Sequence, residues 1–256
     1  MTAEFLTATP LAGLPHGFFT RRGGVSSGGF ATLNCSLSGR DDPEKVVVNR
    51  ARAMEALGLA PSVLSGAHQV HGIAVAEVTE PIPNEARPEA DALVTNRPGL
   101  ALGVVTADCG PVLFADRKAG VVGAAHAGWR GAVAGILEET VQAMERLGAH
   151  RGDIVAVVGP CIRQNSYEVG ADLREAVLAQ NPANARFFAE GRRPEHWQFD
   201  LPGYCAVRMM KVGLGTVAVL AADTFADAGS FFSHRRRTLA GEGPIGHQLS
   251  AIALPG

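Results

Sequence analysis

The 256-residue sequence is short of several things, and each shortage excludes something. Its four cysteines, Cys35, Cys109, Cys161 and Cys205, are too few and too scattered to staple a secreted scaffold of this length. Free thiols or a thiolate ligand are expected in place of disulfides. No apolar run approaches the roughly 20 residues that span a bilayer, and no basic N-terminal segment leads into an apolar one. No membrane association is therefore expected, and the cytoplasm is the expected compartment. Neither sign of charge dominates: 23 Lys and Arg against 25 Asp and Glu leave a formal net charge of -2. That balance gives no sequence-wide attraction to nucleic acid, so any anion site must be local. The patterns G-x-G-x-x-G, G-x-S-x-G and Walker A are all missing, which removes the commonest nucleotide and hydrolase signatures. With no fixed-period repeat, charge block or low-complexity linker, residues 1–256 read as one domain.

What is present describes a compact α/β protein. Apolar residues make up 46% and charged residues only 19%, too apolar a balance for disorder. Short runs rich in Val, Ile and Ala predict strands at 17–20, 73–78, 92–95, 101–106, 112–115, 120–125, 154–158, 217–221 and 249–254. A helix start at Asp42-Pro43-Glu44 precedes Val47, Arg50, Ala51, Met54 and Leu57 and closes at Gly58. A second stripe runs through Val133, Ile136, Leu137, Val141, Met144 and Leu147 to Gly148, with weaker helical segments at 169–180 and 202–213. The strand-strand-helix-strand order over 100–159 implies mixed layers with hairpin pairings and not strict βαβ alternation.

Three polar islands interrupt apolar strands in a way that packing does not explain. In the first, His68-Gln69-Val70-His71-Gly72, an extended chain sends residues three apart to opposite faces, so only one histidine can join a given site; Gln69 shares the face of His71. In the second, Thr106 to Pro111, Asp108 stands beside Cys109 between two buried-looking strands. A carboxylate there is expensive to bury unless paired or metal-bound. The third, Ala125-His126-Ala127-Gly128-Trp129-Arg130-Gly131, lies between a strand end and a helix start, where free N–H groups and Arg130 favour an anion. One thiolate and two imidazoles suit Zn²⁺ with a vacant fourth position. The same residues also suit a Cys nucleophile with a His base and no metal. Spacing alone does not choose.

The order and spacing of these motifs resemble one bacterial family over nearly the whole chain. The matching segments are TRRGGVS at 20–26, HQVHG at 68–72, DALVT at 91–95, the run PGLALGVVTADCGPVLFAD at 98–116, AAHAGWRG at 124–131, GPCI at 159–162, YEVG at 167–170 and FFSHRR at 231–236. The family is that of multicopper polyphenol oxidoreductase or laccase-domain proteins, which includes peptidoglycan editing factors and purine nucleoside phosphorylases. The resemblance implies a single-domain α/β fold of the α+β type, a mixed β-sheet sandwich with flanking helices similar to the Cys-His deamidase toxins. It implies one metal on His71, Cys109 and His126, with Zn²⁺ the expected ion and Cu²⁺ possible.

The activity it implies is metal-dependent phosphorolysis of purine nucleosides (adenosine, inosine, guanosine, methylthioadenosine) with adenosine deamination. Amidase-like editing of peptidoglycan precursors is the alternative, and weak copper-dependent phenol oxidation a side reaction. The expected partners are nucleoside and phosphate. Asp108 is expected as the acid-base group and Cys109 as ligand or nucleophile, with Arg22, Asn34, Gln69, Arg130 and Arg235 contacting phosphate or substrate. A true laccase is excluded by the donor supply, since the chain has eight His and no His-x-His pair. After FFSHRR the family pattern is lost: His247 stands about where the family has an Arg, and Asp223-Thr224 replaces Cys-Thr. Cys35, Cys161 and Cys205 read as core.

Overall fold

In a computed structural model describing residues 2–256, fourteen strands form three sheets. The strands are β1 (Phe5–Leu6), β2 (His16–Phe19), β3 (Leu64–Ser65), β4 (Val75–Glu77), β5 (Ala92–Thr95), β6 (Ala101–Thr106), β7 (Gly110–Asp116), β8 (Val121–Ala127), β9 (Val155–Val158), β10 (Glu168–Val169), β11 (Phe188–Glu190), β12 (Trp197–Phe199), β13 (Thr216–Val219) and β14 (Gln248–Ala253). The helices are α1 (Pro43–Ala56), α2 (Trp129–Ala134), α3 (Ile136–Arg146), α4 (Ala171–Gln180), α5 (Leu201–Val212) and α6 (His234–Ala240). A five-stranded sheet has the order β1-β2-β14-β6-β3 and a six-stranded sheet the order β13-β9-β7-β8-β5-β4; β10, β12 and β11 make a small third one.

Period-2 alternation builds the layers. On β6, Leu102 and Val104 face one core while Ala101 and Val105 face another; on β7, Leu113 and Ala115 oppose Val112 and Phe114. The central core takes Phe18, Leu102, Val104 and Ile252 from the five-stranded sheet and Leu93, Leu113, Val122 and Val157 from the six-stranded one. The two sheets therefore pack face to face. The outer face of the smaller one is covered through Ala53 and Met54 of α1. The outer face of the larger is covered through Ile136, Leu137, Val141 and Met144 of α3 and Tyr204, Cys205 and Met209 of α5. The mixed α/β sandwich with flanking helices agrees with the sequence reading.

Several local details differ from that reading. On α1, capped by the Asp42 carboxylate accepting from Glu44 N, Val46 takes the buried place assigned to Val47, which is 51% exposed. The single helix expected over 133–147 is two, because Gly135 at φ 114° ends α2 and starts α3 in a left-handed conformation. The third sheet, the edge strands β1 and β3, and α6 go unpredicted, being too short for periodicity to register. Cys35, Cys161 and Cys205 are all fully buried, as expected.

Gly159, just past β9, lets the two sheets close: a Cβ there would sit 2.1 Å from the Phe18 ring. Gly159→Ala should therefore destabilise by about 1–3 kcal/mol through overpacking. Thermal unfolding should show a melting temperature lower by roughly 3–10 °C.

Candidate metal centre and its cavity

β6 belongs to one sheet and β7 to the other, so the 107–109 connection crosses the sandwich, and Cys109 stands at that crossing. His126, next to last in β8, has the parity of Val122 and Ala124, so its imidazole points between the sheets. His71 lies in the loop after β3 at φ 62°, a left-handed conformation uncommon outside glycine. One carboxylate holds that loop. Asp91, fully buried at the start of β5, accepts hydrogen bonds from the backbone N–H groups of Val70 (3.1 Å), His71 (3.0 Å) and Gly72 (2.7 Å). It also accepts from His126 Nδ1 at 2.7 Å, which fixes the ring orientation and turns Nε2 toward the cluster.

The donor atoms of His71, Cys109 and His126 all lie within 4.8 Å of one another, with Cys109 Sγ 4.0 Å from His71 Nε2. The two imidazoles meet edge to face with centroids 4.7 Å apart. Ligands 2.0–2.3 Å from a tetrahedral centre lie roughly 3.3–3.6 Å apart, so small side-chain rotations bring this set onto one ion. Gly128 keeps the space open, since a Cβ would come 2.9 Å from His71 Cδ2 and 3.2 Å from Cys109 Sγ. A soft thiolate, two imidazoles and a carboxylate behind one of them fit a Zn-type ion.

Without metal the same groups form an ion pair. Burial pushes the Cys109 thiol up, but the His126 charge and hydrogen bonds from His126 and His71 outweigh it and bring the thiol down to about 6. Burial likewise opposes charge on His126, yet the thiolate and Asp91 raise it to about 9.

The cluster opens into a cavity of about 500 Å³ whose wall includes Trp129, Arg130, Tyr167 and Arg235. Arg130 stacks on the Trp129 ring and Arg235 on the Tyr167 ring, with guanidinium carbons 4.5 and 5.4 Å from the ring centroids. Such a wall, cationic and flat, suits an anion beside a planar ring.

Residues 15–255 match the family model for multi-copper polyphenol oxidoreductase laccase. The chain belongs to this family. It is 41% identical over 251 residues, 98% of this chain and 93% of the relative, to a protein of Deinococcus radiodurans named purine nucleoside phosphorylase. It is 48% identical over 184 residues to a purine nucleoside phosphorylase of Streptomyces griseus, covering 71% of this chain and 74% of that one. Among solved structures, Geobacillus stearothermophilus YlmD superposes with a TM-score of 0.91 at 31% identity, over 100% of this chain and 97% of its own. A Neisseria meningitidis protein does so at 0.88 and 33%, over 100% of both.

The site gathers some of the sequence-predicted residues and leaves others out. Cys109, His71 and His126 converge, and His68 turns away to Ser38. Arg130, Arg235 and Gln69 line the cavity, although both ends of the Gln69 amide bond to the Val105 backbone at 2.8 Å. Arg22 does not reach it: its guanidinium bonds to Gly229 O (2.8 Å) and lies exposed near Glu4. Asn34 does not either. It is fully buried, donating to Asp41 and accepting from Ser36 N and His247 N, so it shapes a turn and does not line the cavity.

Asp108 is beside the cluster at φ 91°, but its carboxylate is occupied by Thr224 Oγ1 (2.7 Å), Ser233 Oγ (2.9 Å) and Arg235 N (2.6 Å). It ties the crossing to the start of α6 and is not a free acid-base group. The sequence reading misses Asp91, whose signal was an acid heading an apolar strand, and Arg87, a third arginine on the cavity wall.

Two outcomes test the centre. Asp91→Asn should lower metal affinity about 10–100-fold in chelator competition, because the second histidine loses its anchor. In metal-free protein, iodoacetamide should label Cys109 with a midpoint near pH 6, leaving the three buried thiols untouched. The folded thiol titrates below its unfolded value, so its contribution to stability is lost as pH falls through about 6; that of His126 is lost as pH rises through about 9. Added Zn²⁺ should block the labelling.

Proposed function

We propose that this chain is a metal-dependent purine nucleoside phosphorylase using the His71–Cys109–His126 cluster. The observation that carries the reading is the convergence of three metal-type donors on a cavity whose wall pairs arginines with aromatic rings. The name shared by the similar proteins of Deinococcus radiodurans and Streptomyces griseus supports it.

Phosphorolysis forms a bond from a phosphate oxygen to C1′ of the ribose and breaks the C1′–N9 bond, the electron pair leaving with the purine. The enzyme must therefore hold an anion next to a sugar that becomes cationic. Arg130 and Arg235 supply forked donors for phosphate. Arg235 is held in place at both ends, its N–H on Asp108 and its guanidinium on Glu168 O at 2.7 Å. The rings of Trp129 and Tyr167 give the planar base or the sugar face an apolar surface. His71, Cys109 and His126 would hold the ion, which when bound would supply Lewis-acid polarisation. Zn²⁺ suits this donor set, with Cu²⁺ tolerated by the same ligands.

Adenosine deamination needs a proton carrier next to the attacked carbon, and Asp108, with both oxygens occupied, does not provide it; the proposal stops at phosphorolysis. Multi-copper oxidation finds no support either, since this is the one such donor cluster among the described residues.

Purified protein incubated with inosine and phosphate should release hypoxanthine and ribose 1-phosphate. His71→Ala should lose bound metal and at least about 100-fold of the turnover together, since metal and positioning act as a unit. Turnover retained after metal loss would instead assign the chemistry to Cys109 alone, and absence of ribose 1-phosphate would refute the proposal.

A further inference from the structure

A second group of cationic and hydroxylic side chains meets the cavity from the loop before α1 and the connection between β4 and β5, apart from the Arg130 and Arg235 wall. Arg87 lines the cavity between β4 and β5; its Nε donates to Asn84 O (2.8 Å) and its Nη1 more weakly to Ala67 O (3.4 Å). The neighbouring residue His68 contacts Ser38 Oγ at 3.5 Å, so Ser38 and Arg87 adjoin the same 67–68 segment. Ser36, only 6% exposed, also lines the cavity, and its hydroxyl has no hydrogen-bond partner among the described residues.

Behind them lies Arg50. This guanidinium is buried at 8% exposure, its Nη2 has no hydrogen-bond partner, and its Nη1 reaches only Cys35 O at 3.4 Å. Its Nη2 lies 3.5 Å from where a Cβ on Gly66 would be, next to the segment that Arg87 touches. Burial disfavours charge on both guanidiniums, the Arg87 charge adds to it at Arg50, and neither forms an ion pair with a carboxylate among the described residues. A buried charge without a counter-charge is costly to keep. Arg50, buried behind a cavity wall that carries the half-exposed Arg87 and the hydroxyls of Ser36 and Ser38, is matched by a ligand that brings its own negative charge.

We propose that Arg87, Ser36 and Ser38, backed by the field of Arg50, form a subsite for a phosphate group distinct from the Arg130 and Arg235 wall. The chemistry recognised is a tetrahedral oxyanion with several acceptor oxygens: Arg87 gives a charge-assisted donor and the serines give neutral ones. The group comes from inorganic phosphate or from a phosphate monoester carried by the nucleoside. The second source would extend the substrate class of the proposed phosphorylase to nucleoside 5′-monophosphates, and to that extent the inference rests on the proposed function.

The test begins without turnover. Inorganic phosphate is titrated calorimetrically into the holoprotein, into Arg87→Gln and into Ser36→Ala, with circular dichroism confirming that each is folded. The subsite predicts an affinity weaker by about tenfold or more for Arg87→Gln and a smaller loss for Ser36→Ala, the loss of a charged and of a neutral contact respectively. The same affinity in wild type and both variants, or no phosphate binding to wild type at millimolar concentration, overturns it.

Turnover then separates the sources. A raised KM for phosphate with inosine as substrate in Arg87→Gln assigns inorganic phosphate. A selective fall in kcat/KM for inosine 5′-monophosphate relative to inosine assigns the monoester. If wild type forms no ribose 1-phosphate yet loses phosphate binding on Arg87→Gln, the proposed function fails and the subsite stands.

Discussion

The geometry of the centre depends on one buried carboxylate. Asp91 has no exposure to solvent, and such a group is tolerated only when its acceptor capacity is filled. Three backbone N–H groups of the 70–72 loop and the Nδ1–H of His126 fill it, and together they hold its pKa low despite burial. Its backbone carbonyl accepts from His126 N at 2.7 Å as well, so Asp91 grips that histidine by both main chain and side chain. The loop at the left-handed turn of His71 and the end of β8 are thus fixed to one point. Two members of the cluster that are 55 positions apart in sequence become neighbours through a residue that lies outside the cavity lining.

A second carboxylate performs the corresponding task for the arginine wall. Asp108 lies where the chain passes from one sheet to the other, and its three donors come from Thr224, Ser233 and Arg235. Because Cys109 follows it directly, displacement of α6 is felt at the thiolate. Left-handed φ values at His71 and Asp108 persist only where surroundings over-determine them, and in both cases the determining bonds involve a carboxylate. The strain is therefore local to the centre and is offset by hydrogen bonds that the rest of the sandwich holds rigid.

Much of this was readable in the residues. Continuous apolar runs marked the long strands because each is buried on both faces by different cores, and one histidine of His68 and His71 joins the cluster as expected, although through the left-handed turn at His71 and not the alternation of an extended strand. The resemblance, and not the spacing, chose His71. The third sheet escaped notice because strands of two or three residues carry no period. Arginines were the hardest to place: Arg22 and Arg87 look alike in sequence, but one bonds to an exposed carbonyl and the other reaches the cavity through a loop whose course only the tertiary fold sets. Asp108 was recognised as costly to bury, correctly, but the partners that settle its role lie more than 110 positions away.

A chain of net charge -2 has no general attraction for anions, so recognition of phosphate must come from how the charges are arranged. The carboxylates at the centre are engaged by other donors, four on Asp91 and three on Asp108, and neither forms an ion pair with a cavity arginine. Arg130 and Arg235 instead pair with aromatic rings, which stabilise a cation without neutralising it. Arg50 and Arg87 have carbonyls for partners and no carboxylate ion pair among the described residues. Acids satisfied by amides and hydroxyls, and bases resting on rings and carbonyls, leave the cavity positive inside a nearly neutral protein. In a partly enclosed space of low dielectric that surplus acts at short range, where salt screens it least.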